Sequence, residues 1–152
     1  MRHAVTFREA AAAELPILEA LLIAAELSLE GVHAHLADFV LAVQGDDVLG
    51  VAGLEQYGPH GLLRSVAVRA DHQGFGLGLA LTREMIERAT AGELETLTLL
   101  TTTAAGFFPK LGFRPVTRDA LPAALQASSQ LQGGCPSSAV VLQLALPQRG
   151  PS

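Results

Sequence analysis

The sequence predicts an α+β fold, in which a mixed α/β sheet carries helices on both of its faces. Two observations favour this fold. Short apolar runs rich in β-branched residues are separated by turns of glycine, aspartate and proline, as expected of strands. Two other segments carry apolar residues at helical spacing, and one of them follows a turn in which glycine alternates with other residues.

The first half of the chain predicts helical segments and a run of antiparallel strands. Leu18 and Leu22 recur at helical spacing, and Pro16 falls in a first turn, where proline is tolerated. The turns 45–47 and 58–61 join the last three strands. In chain order, the elements are a strand at Ala4–Phe7, a helix at Ala11–Leu27, a short helical piece at Val32–Leu36, and strands at Phe39–Val43, Val48–Tyr57 and Leu62–Val68.

The second half begins with a helix that follows the glycine turn. The remaining elements are a strand at Thr96–Thr101, a short helix at Ala104–Leu111 ended by Gly112, a strand at Phe113–Val116, a helix at Asp119–Ser128, a loop at Gln130–Ser138 and a strand at Ala139–Leu146. No repeat or linker interrupts the chain. We therefore expect a single domain over residues 1–148, with a short C-terminal tail at 149–152.

Composition and charge exclude several classes of protein. At 152 residues and 49% hydrophobic, the chain can bury a core as one domain. Its net charge of −5 and its lack of a basic tract argue against a nucleic-acid or membrane partner. The single cysteine excludes an intramolecular disulfide, and no spacing of Cys and His resembles a zinc site, so no metal is expected. No apolar stretch reaches the roughly 20 residues of a membrane span, so a soluble cytoplasmic protein is expected.

The turn at residues 73–78 is the most informative segment of the chain. It lies between an apolar strand and a helical segment, and Gly74, Gly76 and Gly78 lack a Cβ. Glycine lets the backbone approach a ligand closely and adopt dihedral angles that are closed to other residues. The following helix supplies free N–H groups and the positive end of its dipole, both of which favour an anion. The segment therefore predicts a cradle for a phosphate or pyrophosphate.

Two common nucleotide motifs do not fit this turn. The dinucleotide motif G-x-G-x-x-G would need glycine at position 79, or glycine or alanine at position 81, and both residues are leucine. A P-loop would need Gly-Lys followed by Ser or Thr, which is absent after Gly78. A Rossmann-type site and nucleotide hydrolysis are therefore disfavoured.

The pattern Gln73-x-x-Gly76-x-Gly78 at a strand-to-helix junction resembles the acetyl-CoA pyrophosphate motif of the GNAT superfamily of N-acetyltransferases. The preceding strand LLRSVAV, the helix LALTREMIERA, the strand TLTLLTT and the later K-L-G-F element follow in the order that this family uses. The resemblance covers Val48–Phe113 closely. It implies acetyl-CoA as co-substrate and a mostly antiparallel sheet of six to seven strands, splayed between the fourth and the fifth.

In the enzymes that this chain resembles, the pantetheine arm runs between the splayed strands and pairs with their backbone. Backbone N–H groups near Val66 or Val68 would then polarise the thioester carbonyl and stabilise the oxyanion. Gln73 stands where many relatives have arginine, so one charged contact is absent. The residues that the resemblance assigns to the cofactor are Val66, Ala67, Val68, Gln73, Gly74, Phe75, Gly76, Leu77, Gly78, Thr103 and Phe108.

The catalytic groups depart from the family pattern. Many relatives have a tyrosine as general acid where this chain has Phe108. The CoA thiolate therefore leaves unassisted, is protonated by water, or is protonated by another residue. Tyr57, the only tyrosine, is a candidate substitute, although a phenol at a strand end more often packs. Glu55 is the candidate general base, because a carboxylate beside apolar walls has a raised pKa. An ordinary outward-facing carboxylate is the alternative. His60 is a second candidate base.

Arg64 is the other polar residue in an apolar strand. By period-two alternation it shares a face with Val66 and Val68, so its guanidinium could hold an arsonate, phosphonate or carboxylate in a bidentate fork. An ion pair with Glu55 from the adjacent strand is an equally supported alternative. The hydroxyl residues assigned to the same substrate are Ser65, Thr101 and Thr102, although β-propensity alone also accounts for the threonines.

Within the superfamily, the chain resembles the arsenic-resistance branch of N-acetyltransferases. The segments that carry this resemblance are Gly53–Gly58, Leu62–Ser65, Leu100–Thr102, Phe107–Phe108 and Cys135–Ala139. The branch implies acetylation of an amine on a small toxic compound, such as an aromatic aminoarsonate. Cys135 and Ser138 would then line the substrate site, although a lone thiol before a proline is usually a small buried residue.

Two classes of function remain open from the sequence. The first is an acetyl-CoA-dependent N-acetyltransferase, in which the amine of a small molecule attacks the thioester directly. The second is a GNAT-fold module that binds acyl-CoA or regulates another protein without catalysis, as Phe108 at the tyrosine position suggests. A homodimer is compatible with the resemblance, because the last strand often contributes to an interface in this family.

Overall fold

The computed structural model of the chain describes residues 4–74, 76–101, 108–128, 131 and 140–147. These residues form two α-helices and a seven-stranded sheet. The helices are α1 (Leu15–Ala24) and α2 (Leu77–Ala91). The strands are β1 (Val5–Glu9), β2 (Phe39–Gln44), β3 (Asp47–Tyr57), β4 (His60–Val68), β5 (Thr96–Thr101), β6 (Arg114–Val116) and β7 (Val140–Ala145). Among the described residues, neither helix is long and apolar enough to cross a membrane.

The sheet is mixed and mostly antiparallel, as the sequence predicts. Its strand order is β1-β2-β3-β4-β5-β7-β6. The pairs β1–β2, β2–β3, β5–β7 and β6–β7 are antiparallel, whereas β4 and β5 run parallel. The parallel ladder joins His60–Leu63 to Thr96–Leu99 and ends there, although β4 itself continues to Val68.

The chain divides into two compact units, each with an apolar core. The first unit comprises Met1–Leu54 with Ser65–Met85. Its core contains buried side chains from α1, β2, β3 and β4, among them Leu18, Leu22, Phe39, Leu41, Val51 and Ala67. The second unit comprises Glu55–Arg64 with Ile86–Ser152. Its buried cluster consists of Leu62, Leu121, Leu125 and Val141.

The predicted helix at Asp119–Ser128 is wrong. The structure has two short 3₁₀ turns there, at Arg118–Ala120 and Ala123–Ala127. Leu121 lies between them in an extended conformation, with φ −73° and ψ 147°. Because the residue before a proline is disfavoured in the α region, Pro122 prevents the two turns from joining into one helix.

The helix predicted at Ala11–Leu27 is too long. α1 stops at Ala24, where the Leu27 N–H donates to the Leu22 carbonyl at 2.9 Å and closes the last turn. In place of the short helix predicted before β2, the structure has a 3₁₀ turn at Leu36–Asp38. Of the helix predicted at Ala104–Leu111, residues 104–107 lie outside the described residues, and Phe108–Leu111 forms a 3₁₀ turn.

A close approach between β2 and β3 depends on Gly53. Phe39 is fully buried, and a Cβ built at position 53 would lie 2.5–2.7 Å from atoms of its ring. No side chain can occupy that space unless the ring moves. Glycine therefore lets the aromatic ring of β2 cover the backbone of β3, and this contact belongs to the core of the first unit.

Replacing Gly53 with alanine is expected to destabilise the protein by about 1–3 kcal/mol, because overpacking forces the Phe39 ring or the strand to shift. Chemical denaturation of Gly53→Ala, Phe39→Leu and the double variant measures the coupling. In the double variant the smaller side chain at position 39 makes room for the methyl group. Its loss of stability is therefore expected to be smaller than the sum of the losses in the two single variants. Strict additivity would show that the ring and the glycine do not share this space.

Candidate functional site

The glycine turn between β4 and α2 adopts the backbone that its sequence predicts. Gly74 and Gly76 have φ values of 88° and 80°, in the left-handed region that favours glycine. A Cβ at either position would meet no atom within 4 Å. The backbone conformation, and not crowding, therefore requires these glycines. Gly78 differs, because a Cβ there would lie 3.9 Å from Val68, so alanine would fit.

The first turn of α2 offers main-chain donors beside this loop. The helix begins at Leu77, and the Ala80 N–H donates to the Gly76 carbonyl at 3.0 Å. The N–H groups of the residues before Ala80 have no partner within the helix, and the helix dipole adds positive potential at this end. These features fit a phosphate-bearing group. Phe75, which was also predicted to bind the cofactor, lies outside the described residues.

The Gln73 side chain braces the loop against the end of β4. Its Nε2 donates to the Val68 carbonyl at 3.0 Å. The residues before it are braced as well, because the Arg69 N–H donates to the Leu49 carbonyl at 2.7 Å. The Arg69 guanidinium makes two hydrogen bonds to Asp71, at 2.7 and 3.1 Å, and thereby lowers the pKa of that carboxyl. Local contacts thus order the connection that leads into the glycine turn.

Ser65 interrupts the regular alternation of β4. Its φ of 59° places a non-glycine residue in the left-handed region within the strand. Arg64 is buried, whereas Val66 and Val68 are only half-buried. The expectation that these three residues share one face is therefore wrong, because the irregular backbone at Ser65 breaks the period of two. Ala67 is buried in the core of the first unit.

A buried polar network in the second unit centres on Glu55 of β3. Arg64 Nη1 donates to Glu55 Oε2 at 2.6 Å, and both side chains are only 1% exposed. Glu55 Oε1 accepts two hydrogen bonds, one from the Tyr57 hydroxyl at 2.5 Å and one from the Ser128 hydroxyl at 2.7 Å. The carboxylate thus has an ionic partner on one oxygen and two hydroxyl donors on the other.

These contacts set the proton affinities of the network. Burial raises the pKa of Glu55, but hydrogen bonds from Tyr57, Ser128 and Arg64 and the charge of Arg64 outweigh it, so the pKa lies below its ordinary value. Burial and donation to Glu55 raise the pKa of Tyr57 to about 12. The raised pKa expected for Glu55 is therefore wrong, because its oxygens are engaged by donors and not only by apolar walls.

Between the two interpretations of Arg64, the geometry agrees with the ion pair. Its guanidinium is buried against Glu55 and does not present an exposed fork to an anionic substrate. Glu55 is likewise not an outward-facing strand carboxylate, because it is fully buried. His60 lies at the start of β4 and is half-buried, with Nδ1 2.9 Å from the Thr96 hydroxyl oxygen.

Ser128 is the member of the network that the sequence did not reveal. It is fully buried and lies 73 positions after Glu55. It was predicted only as the end of a helix, and a serine among small residues carries no pattern that points to a distant carboxylate. The chain leaves the 3₁₀ turn Ala123–Ala127 in a direction that brings the Ser128 hydroxyl within hydrogen-bond distance of Glu55 Oε1.

The structure describes only some of the remaining predicted site residues. Phe108 is buried and packs edge to face on Phe113, with ring centroids 5.7 Å apart, so its side chain belongs to the core. Thr101 ends β5, is half-buried and pairs with Val140. The predictions for Thr102, Thr103, Cys135 and Ser138 fall outside the described residues. In the part of the chain that the structure describes, no three His, Cys, Asp or Glu side chains form a group that could hold a metal ion.

Comparison with known families identifies the segment that contains this loop. Residues 35–115 match the family model described as an acetyltransferase (GNAT) domain. The match covers just over half of the chain and includes β2 to β5 and α2. No curated protein matches the sequence.

The fold is similar to that of several solved acetyltransferases. N-acetylglutamate synthase from Neisseria gonorrhoeae, complexed with coenzyme A and N-acetyl-glutamate, gives a TM-score of 0.81 at 22% identity over 97% of this chain and 36% of the synthase. Rv2747 from Mycobacterium tuberculosis, in complex with CoA and NLQ, gives 0.78 at 20% identity, over 93% of this chain and 99% of that one. The ribosomal-protein-S18-alanine N-acetyltransferase from Escherichia coli gives 0.72 at 17% identity and covers 97% of each chain. This chain thus spans little more than a third of the synthase, and at these identities the likeness establishes the fold alone.

Removing the buried carboxylate is expected to change stability in a pH-dependent way. Glu55→Gln should lower the free energy of unfolding at neutral pH by about 3 kcal/mol, because it leaves Arg64 buried without its charged partner. The folded pKa of Glu55 lies below the unfolded value of about 4.3, so this contribution is complete above that pH and is lost as the pH falls through the folded pKa. The difference between wild type and variant should therefore shrink in acid.

Urea denaturation at a series of pH values measures this difference. Glu87→Gln on the exposed side of α2 is the matched control and should change stability by less than about 0.5 kcal/mol. A difference between wild type and Glu55→Gln that stays constant from neutral to acid pH would contradict the lowered pKa.

Proposed function

The chain belongs to the GNAT family of acetyltransferases; on this premise, we propose that it transfers the acetyl group of acetyl-CoA to the amine of a small molecule. The glycine turn between β4 and α2 carries the proposal. It lies within the segment that matches the family, and two of its glycines have the left-handed backbone of the motif. Acetyl-CoA supplies an activated acetyl thioester when it is bound.

We assign the cofactor's pyrophosphate to main-chain amides of the loop. The N–H groups of Gly76, Leu77 and Gly78 lie at the start of α2, where no helical carbonyl accepts them. Gln73 supports the loop through Val68, so its side chain acts by bracing and needs no charge. In β4, the half-buried residues Val66 and Val68 are our candidates for N–H donors to the thioester carbonyl.

The proposed reaction does not use Glu55 as its base. A carboxylate with a lowered pKa and donors on both oxygens is a poor proton acceptor, so we propose that the amine loses its proton to water. Tyr57 is also a poor acid for this step, because its pKa is about 12 and an ordinary thiol has a pKa near 8.5. The CoA thiolate can leave without a protein acid, since it is stable near neutral pH relative to an alkoxide.

The choice of an aminoarsonate as acceptor rests on the sequence segments that resemble the arsenic-resistance branch. The residue expected to hold the arsonate, Arg64, is buried against Glu55, which weakens that choice. We therefore propose a small amine as the acceptor class, without requiring an anionic group on it. An aminoarsonate remains one member of the panel in the experiment below.

The proposal predicts saturable release of CoA thiol when acetyl-CoA is mixed with a suitable small amine. A panel of amines with different pKa values, including an aminoarsonate, can be followed with a thiol-reactive dye. If water takes the proton, the pH profile of kcat/KM should move with the pKa of the amine and not with a fixed protein group. Saturable acetyl-CoA binding with no thiol release from any amine would instead support a binding or regulatory module.

Replacing Gly76 with valine is expected to weaken acetyl-CoA binding about tenfold or more, because a β-branched residue cannot hold this backbone conformation. Gly58→Val is the matched control. Gly58 also has a positive φ, of 63°, and open space around its missing Cβ, but it lies in the turn between β3 and β4. Calorimetric titration should give an unchanged acetyl-CoA affinity for the control. Equal losses in both variants would assign the effect to general strain and not to the loop.

A further inference from the structure

The helix α1 carries apolar residues on its outward side as well as on its inward side. Its sequence, LPILEALLIA, contains one charged residue, Glu19. The buried side chains are those of Leu18, Leu21 and Leu22. Steps of about 100° per residue place positions 17, 20, 23 and 24 on the opposite side of the helix. These exposed positions, which we call the α1 face, are Ile17, Ala20, Ile23 and Ala24.

Such a face is unusual for a helix that is exposed to water. The exposed fraction is 46% for Ile17 and 63% for Ile23. Surface helices normally place polar and charged residues on the outer side, and α2 does so with its arginines and glutamates, at positions 83, 84, 87 and 88. The apolar exposure also continues beyond α1, because Leu27 and Leu29 are 38% and 37% exposed. Exposed apolar residues grouped in this way indicate a surface that another molecule covers.

The stretch of chain that contains the α1 face is acidic. Between Arg8 and Arg64 the chain contains no lysine or arginine. Its acidic residues over the same stretch are Glu9, Glu14, Glu19, Glu26, Glu30, Asp38, Asp46, Asp47 and Glu55. Glu26 and Glu30 are exposed and flank the two exposed leucines that follow the helix. A second copy of this chain on the face would bring like charges together, whereas lysines and arginines would complement them.

We propose that the α1 face is a docking surface for a basic amphipathic helix of another protein. The apolar side of that helix would cover Ile17 and Ile23, and its cations would lie beside Glu19 and Glu26. This is the helix-on-apolar-surface mode of recognition, with charge providing selectivity. The interaction goes beyond the acetylation reaction and does not depend on it, because none of these residues belongs to the glycine turn or to the Glu55 network.

The test uses a fluorescent peptide with leucines on one helical face and lysines on the other. A scrambled peptide of the same composition is the control for general attraction to an acidic protein. Fluorescence anisotropy should show saturable binding of the patterned peptide and at least about tenfold weaker binding of the scrambled one. Ile17→Gln with Ile23→Gln should weaken patterned-peptide binding about tenfold or more, because the apolar contact is lost.

Glu26→Lys should weaken binding about two- to fivefold, as expected for an exposed ion pair. The matched control, Glu87→Lys, makes the same charge change on the exposed side of α2 and should leave binding unchanged. All variants should keep their circular dichroism spectrum and their affinity for acetyl-CoA, which separates this proposal from the proposed function. Equal binding of both peptides, or full binding by the double glutamine variant, would overturn the proposal. A wild-type dimer that the double glutamine variant dissociates would also overturn it, because a second copy would then occupy the face.

Discussion

The burial of the Glu55 carboxylate is the constraint on which the second unit depends. A charge removed from water is tolerated only when partners replace its hydration, and here the partners come from separate parts of the chain. Arg64 is supplied by β4, Tyr57 by the end of β3 and Ser128 by the segment after the last 3₁₀ turn. The network therefore ties Ser128, which follows the 3₁₀ turn Ala123–Ala127, to the β3–β4 hairpin of the same unit.

The same contacts limit what Glu55 and Tyr57 could contribute to the proposed reaction. Apolar surroundings alone would raise the pKa of Glu55 and make it a stronger base. The hydrogen bonds from Tyr57, Ser128 and Arg64 lower that pKa, and their effect is the larger one. Tyr57, whose hydroxyl donates a hydrogen bond to Glu55, is correspondingly a weaker acid. With both groups engaged, the proposed acetyl transfer would depend on placing an activated thioester beside an amine, since orientation is by itself a large contribution to enzymatic rate.

The parts of the structure that the sequence predicted are those set by local chemistry. The glycine turn requires left-handed backbone at Gly74 and Gly76, and its position between a strand and a helix follows from periodicity. The Arg64 ion pair was foreseen as an alternative, because two polar residues stood in adjacent apolar strands. Ser128 could not be found in this way, since its partner is distant in sequence. The left-handed backbone at Ser65 also left no signal, because serine has no preference for it.

The most direct test of the account is a titration of the isotope-labelled protein with acetyl-CoA, followed in proton–nitrogen correlation spectra. The account predicts saturable shifts of the amides of Gly74, Gly76 and Gly78, whose chain segment forms the start of α2. The amide of Gly58, which has a similar backbone in another turn, should remain in place. Saturable shifts elsewhere in the chain with an unperturbed glycine turn would contradict the assignment of this loop to the cofactor.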